Sequence, residues 1–320
     1  MLSNPDLPDN SKLLPANLQS TGSSRRLRIG LIANRAHQTA PDSALVQLLR
    51  TASSAIQTLN PQWLIVGRTL DAIIAHNLID GVAEHERFPY GREGGLMKLV
   101  SRVVDTDPLR SVDAVIYLID PVDPSSIFPE ALALKRQSVI QHKPFLATLA
   151  SACEWLELEA LAQGGNTIPA LDSSYQLAHE SIALVAHDAM KPRMLEIAEK
   201  HFALLDRFAC RYATGTTGGL LNQLAQKIKG EQAGKNWVQP FLSGPLGGDA
   251  QLAELVLEKK IRRILFLEDP HVARQHEADI QLLERAARTV SSFSSVISEV
   301  DGADRWLNLM TQRMAHLEQK

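Results

Sequence analysis

The chain repeats itself. Residues 28–38, RIGLIANRAHQ, correspond to residues 181–191, SIALVAHDAMK, and residues 88–100, FPYGREGGLMKLV, correspond to residues 241–256, FLSGPLGGDAQLAELV. Residues 112–121, VDAVIYLIDP, correspond to residues 261–270, IRRILFLEDP, with EALALKR and DIQLLER following at the same spacing. The paired segments lie about 150 residues apart, the length of one ordinary domain. A repeat of that size obliges both halves to adopt one architecture. We read residues 1–26 as a polar tail without fixed structure, 27–162 as one domain, 163–178 as a linker containing Gly, Ser and Asn, and 179–320 as a second domain.

Within each half, short apolar runs alternate with longer amphipathic ones. RIGLIAN, SIALVAH and RRILFLED have the composition of strands buried on both faces, whereas residues 250–260 and 278–289 carry apolar side chains at helical spacing. Alternating strands and helices predict an α/β fold with two tandem Rossmann/flavodoxin-like domains, each a parallel sheet with helices on both faces. In such sheets, ligands bind beyond the carboxyl ends of the strands. That edge of the second half collects TGTTG (214–218), SGPLGG (243–248), Asp249, His187, Asp188, Lys191, His276 and Asp279. Glycine, threonine and serine at a strand-to-helix turn offer backbone N–H groups and hydroxyls to an anion, and the helix dipole favours it. Singly, each residue has a plain structural role as a cap, a packed imidazole or a solvated lysine. Together they predict proton chemistry on a small phosphorylated molecule. No compact ligand set at a recognised spacing implies a metal.

The remaining composition excludes rather than assigns. A net charge of −3 gives no broad footprint for nucleic acid, and Arg25, Arg26 and Arg28 read as a solvated basic cluster before the first strand. Cys153 and Cys210, each in an apolar neighbourhood and far apart, suggest neither a disulfide framework nor a metal knuckle. With no secretory pattern at the start and no apolar run of membrane-spanning length, the expected location is the cytoplasm, away from the membrane.

ALVAHDAMK, YATGTTG, LSGPLGGD and DPHVARQHEAD are similar, in order and spacing, to the signature segments of the methylglyoxal synthase family, over about residues 180–300. The resemblance implies a lyase that converts dihydroxyacetone phosphate to methylglyoxal and inorganic phosphate, without a cofactor. It implies that Asp249 is the base that removes a proton from the hydroxymethyl carbon. His276 and Asp279 would move protons between the oxygens of the enediol, with His187 and Asp188 in the same pocket. Lys191, Thr214, Thr216, Thr217, Ser243 and Gly244 would hold the phosphate, which leaves as product and is a candidate inhibitor. Family members are hexamers of single domains, so a duplicated chain is expected to form a homo-oligomer, with a trimer as the arrangement that preserves sixfold pseudosymmetry.

The chain departs from the family in three places. In the first half Asn34, Arg35 and Gln38 stand where His187, Asp188 and Lys191 do, Leu96 stands for Asp249, Ile127 and Glu130 stand for His276 and Asp279, and VGRTL replaces TGTTG. That half is expected to be a structural partner, with Arg35, Arg68 and Arg92 as the residues of an alternative anion site. An insertion, KIKGEQAGK (227–235), is expected as a surface loop. The resemblance implies a C-terminal tail that carries an arginine into a neighbouring phosphate site; no clear counterpart is expected after WLNLMTQRMAHLEQK, and Arg313 or an arginine of the first half is the candidate substitute. The competing reading is a non-catalytic phospholigand-binding module, like the allosteric domain of carbamoyl phosphate synthetases.

Overall fold

The computed structural model describes residues 25–271 and 277–318. The first half runs β1 (Arg28–Ala33), α1 (Ala44–Thr51), α2 (Ser53–Leu59), β2 (Gln62–Val66), α3 (Gly67–Ala75), β3 (His85–Phe88), α4 (Gly95–Val103), β4 (Ala114–Leu118), α5 (Pro129–Ile140), β5 (Phe145–Leu146) and α6 (Leu149–Ala162). The second runs β6 (Ser181–Ala186), α7 (Lys191–Lys200), α8 (Phe202–Leu205), β7 (Cys210–Ala213), α9 (Gly215–Lys229), α10 (Glu231–Gly234), β8 (Gln239–Pro240), α11 (Gly248–Leu257), β9 (Arg263–Leu267), α12 (Glu277–Thr289), β10 (Ser295–Ile297) and α13 (Val300–Glu318). Each half forms its own five-stranded sheet, ordered β3-β2-β1-β4-β5 and β8-β7-β6-β9-β10, and every pairing is parallel.

Alternation along the central strands builds the layers. Ile29, Leu31 and Ala33 of β1 point into a cluster with α1, α2 and α6, while Ile32 faces a second cluster with Leu96, Leu99 and Leu134 of α4 and α5. In β6, Ile182, Leu184 and Ala186 join α7, α9 and α13, while Ala183 and Val185 join α11 and α12. Both faces of each sheet are therefore covered, as the apolar strand runs require. The registers match as well: Ile29 lies beside Ala114 as Ile182 lies beside Arg263, and Arg28 beside Gln62 as Ser181 beside Cys210.

The halves are joined by buried polar contacts. Arg263 donates to Glu154 Oε1 through Nε at 2.9 Å and Nη2 at 2.6 Å, and to the Ser174 carbonyl at 2.7 Å. Arg313, fully buried, donates to Glu157 Oε1 at 3.0 Å and to Asp172. Thr148 Oγ1 donates to the Ser294 carbonyl at 2.7 Å, and Ser295 Oγ to Glu154 Oε2 at 2.9 Å. Removing one partner of such a buried ion pair costs about 3–5 kcal/mol, because the other charge is left unpaired out of water.

Four sequence expectations change. Arg313 is locked between α13 and α6 and cannot serve a phosphate site. The insertion is not a loop: α9 runs on to Lys229 and α10 follows, with Gly234 seated against the backbone of Gln226 because its missing side chain permits the approach. In the basic cluster Arg25 and Arg26 are exposed, as expected, and pair with Asp113 at 2.5 Å and Glu84 at 3.1 Å, whereas Arg28 lies buried in β1 against Gln62. Cys210 is exposed, while Cys153 is buried. Among the described residues no helix is long and apolar enough to cross a membrane.

Candidate functional site

Because every strand of the second sheet runs the same way, the carboxyl ends of β6, β7 and β9 and the turn after β8 share one edge. The chain leaves β6 to neighbours on both sides, so β6 and β9 flank the point where strand order reverses, the usual place for a crevice.

His187 follows β6 directly. Its backbone N–H donates to the Leu267 carbonyl at 3.1 Å, and its ring meets Phe266 edge-on at a centroid distance of 5.3 Å. The backbone N–H of Asp269 donates to Nδ1 at 2.8 Å. An N–H group can only donate, so Nδ1 is the acceptor and the proton of the neutral ring sits on Nε2. Burial lowers the pKa of this imidazole; the Asp269 carboxylate opposes that, and Lys135 adds to it. Nε2 is itself buried and has no hydrogen-bond partner among the described residues.

Thr214 caps α9, whose first turn carries Thr216 and Thr217. The first N–H groups of a helix lack intrahelical partners, so this turn presents donors to an anion. Gly215 N–H is held by the Leu242 carbonyl at 3.0 Å, which ties the α9 turn to the turn after β8. Thr217 is 2 % exposed, and its Oγ1 has no hydrogen-bond partner among the described residues. Thr216 is exposed.

The Ser243–Gly248 turn closes on itself. Gly247 adopts φ +98°, a conformation side chains rarely tolerate, and a Cβ on Gly248 would lie 1.9 Å from the Leu242 carbonyl oxygen. This kink starts α11 with Asp249 in its first turn, 7 % exposed. A Cβ on Gly244 would lie 2.7 Å from Asp249 Oδ2, so the carboxylate faces the Ser243–Gly244 segment. Lys191 begins α7, and its ammonium donates to Asp188 Oδ1 at 2.5 Å; the Asp188 side chain is 95 % exposed. His276 lies outside the described residues, as does the side chain of Asp279, whose backbone is in the first turn of α12.

The first half reproduces this frame with its polar openings filled. Asp120 N–H donates to Asn34 Oδ1 at 2.9 Å, the counterpart of Asp269 on His187, but Asn34 Nδ2 then donates to Ser125 Oγ at 3.0 Å. Thr69, the counterpart of Thr217, accepts from Ala33 N–H at 3.1 Å and from Gln38 Nε2 at 3.4 Å. Gly94 and Gly95 repeat the kink with φ +89° and a Cβ clearance of 2.1 Å to Pro89 O, and Leu96 takes the place of Asp249 with the same 7 % exposure. Arg35, Arg68 and Arg92 are exposed, while the polar atoms of Asn34 and Thr69 already have partners within the half.

Sequence reading misses Asp269 as the group that sets the His187 tautomer. The shared Asp-Pro dipeptide at 120–121 and 269–270 is the available signal. It also misses Lys135 and Arg136, first-half residues that no local pattern connects to this site.

No protein-family model matches the chain. It is 43% identical over 122 residues to methylglyoxal synthase of Actinobacillus pleuropneumoniae serotype 3 (strain JL03), covering 38% of this chain and 73% of that protein. It is 40% identical over 106 residues to methylglyoxal synthase of Thermus thermophilus, covering 33% of this chain and 76% of the relative. A crystal structure of methylglyoxal synthase from Elizabethkingia anophelis NUHP1 aligns with a TM-score of 0.34 and 32% identity over 41% of this chain and 78% of that one. With 43% identity across nearly three quarters of a curated relative, the chain belongs to the methylglyoxal synthase family, through a domain that accounts for little more than a third of its length.

Proposed function

We propose that the second half is a carbon–oxygen lyase that converts dihydroxyacetone phosphate to methylglyoxal and inorganic phosphate. The observation that carries this reading is the contrast between the halves. Two buried polar atoms at the strand edge, His187 Nε2 and Thr217 Oγ1, have no hydrogen-bond partner among the described residues, while their counterparts Asn34 and Thr69 are satisfied internally. Buried polar atoms without partners cost free energy, and a polar ligand that meets them recovers it.

In the proposed reaction the Asp249 carboxylate takes a proton from the hydroxymethyl carbon, and the electron pair of that C–H bond forms the enediol double bond. A carboxylate in the first turn of a helix, enclosed by a glycine turn, is suited to reach such a carbon without bulk water in between. The α9 turn, with Thr214, Thr216 and Thr217, together with Ser243, Gly244 and Lys191, holds the phosphoryl group. The single proton on His187 Nε2 donates to a substrate oxygen. As the C–O bond breaks, its electron pair leaves with phosphate, and the remaining enol becomes methylglyoxal. His276 and Asp279 are assigned to proton transfer between the oxygens by family likeness, and Asp188, which accepts from Lys191, to the rim of the same pocket. Holding the phosphate still fixes the breaking bond relative to the enediol plane, which is an orientation effect.

The test is turnover of dihydroxyacetone phosphate, followed as methylglyoxal and phosphate release. Asp249→Leu, which copies the first half into the second, is expected to lower kcat by about 10²–10⁴-fold while leaving the fold intact. Wild-type protein that binds phosphate by calorimetry yet turns over no faster than this variant would overturn the assignment in favour of a phospholigand-binding module.

A further inference from the structure

The loop that follows β9 sets His187 through Asp269, and the first half grips that loop. Lys135 of α5 reaches Glu268 Oε1 at 2.8 Å and Glu284 Oε1 of α12 at 2.5 Å, and Arg288 closes the cluster on Glu284 at 3.0 Å. The next residue, Arg136, donates from Nε to the Pro270 carbonyl at 3.1 Å. Glu268 and Pro270 bracket Asp269, whose N–H fixes the His187 tautomer. We propose that Lys135 and Arg136 are positioning residues for the second-half site: the catalytically degenerate half holds the 268–270 loop, and through it the His187 imidazole. This rests on the lyase reading for its effect on turnover, although the geometry of the loop does not.

The cluster also explains why two unlike halves occupy one chain. In the alignment of EALALKR with DIQLLER, Lys135 and Glu284 are equivalent positions, and here they meet each other. Where equivalent positions meet at a twofold axis between identical copies, the same residue stands on both sides, so lysine would face lysine or glutamate would face glutamate. Only a pair of diverged halves can put opposite charges at that place. Burial alone would lower the pKa of Lys135, but Glu268 and Glu284 raise it above the ordinary lysine value, so the ammonium stays charged. It stands close enough to His187 to oppose protonation of that ring.

The test uses the full chain with Lys135→Met, Arg136→Ala and Arg136→Lys, and two readouts. The first is the ring-nitrogen titration of His187 by ¹⁵N NMR. Among the described residues, the charged groups acting on this ring are Asp269, Lys135 and Asp188; Lys135 is the one that disfavours protonation, so removing its charge is expected to raise the midpoint. The second readout is turnover. Arg136→Ala is expected to lower kcat about tenfold with KM unchanged, and Arg136→Lys, which keeps a donor, to recover most of it. Arg136 is exposed, so its variants decide the matter if Lys135→Met fails to fold. An unmoved His187 midpoint together with kcat within about twofold of wild type in the folded variants would overturn the proposal. Absent turnover in the wild type would instead remove the lyase reading, and the NMR titration would still decide the positioning claim.

Discussion

Asp249 and Leu96 sit in the same first helical turn, with the same exposure, behind the same glycine kink. The same backbone turn thus holds a carboxylate in one half and an apolar side chain in the other, and it does not change to accommodate the difference. The two cysteines differ just as sharply. Burial pushes the Cys153 thiol up to about 12, whereas Cys210 is exposed at the start of β7. Since the thiolate is the reactive form, one thiol per chain is expected to react with an aromatic disulfide reagent in native protein and two after unfolding. Cys210→Ser should abolish the fast phase, which a stopped-flow absorbance trace would read directly.

At the scale of elements, what is legible in the sequence is whatever repeats locally. The apolar alternation of RIGLIA and SIALVA announces buried strands, and the Gly-Gly pair before Asp249 announces a kinked helix start, because both depend on neighbours in the chain. The insertion reads as a loop because its Gly and Lys content looks irregular, whereas packing of α10 on α9 stabilises a helix there. The start of α13 carries a pH dependence that no local pattern announces. Glu299, buried at the N-terminus of that helix, has a pKa raised to about 7 by burial, with Glu268 and Asp301 adding to it. The folded protein thus holds a proton that the unfolded chain releases near the ordinary carboxyl value of 4.5, so the stability it contributes is present below that value and is lost as pH rises toward about 7. Relative to wild type, Glu299→Gln is expected to gain on the order of 3 kcal/mol between about pH 4.5 and pH 8. Urea unfolding of both proteins at the two pH values checks this, and parallel curves would contradict it.

For the whole molecule, the decisive surface is the one between the halves. Arg263 and Arg313 of the second half find their carboxylates, Glu154 and Glu157, on α6 of the first. Residues 174–320 expressed alone would leave both guanidinium groups without those partners on a newly exposed face, and the fragment is expected to be insoluble or to lack a cooperative melt by circular dichroism. A soluble fragment with wild-type turnover would show the first half to be dispensable. The sequence by itself determined the duplicated α/β architecture and the strand-to-helix turns of the second sheet's edge, because periodicity and such turns are set by neighbours a few residues apart. Only the tertiary structure decided that Arg313 is a strut, that the polar openings of the first half are filled, and that Lys135 meets Glu284. Each of these depends on which distant side chain shares the same few ångströms, and that is a property of packing rather than of sequence spacing.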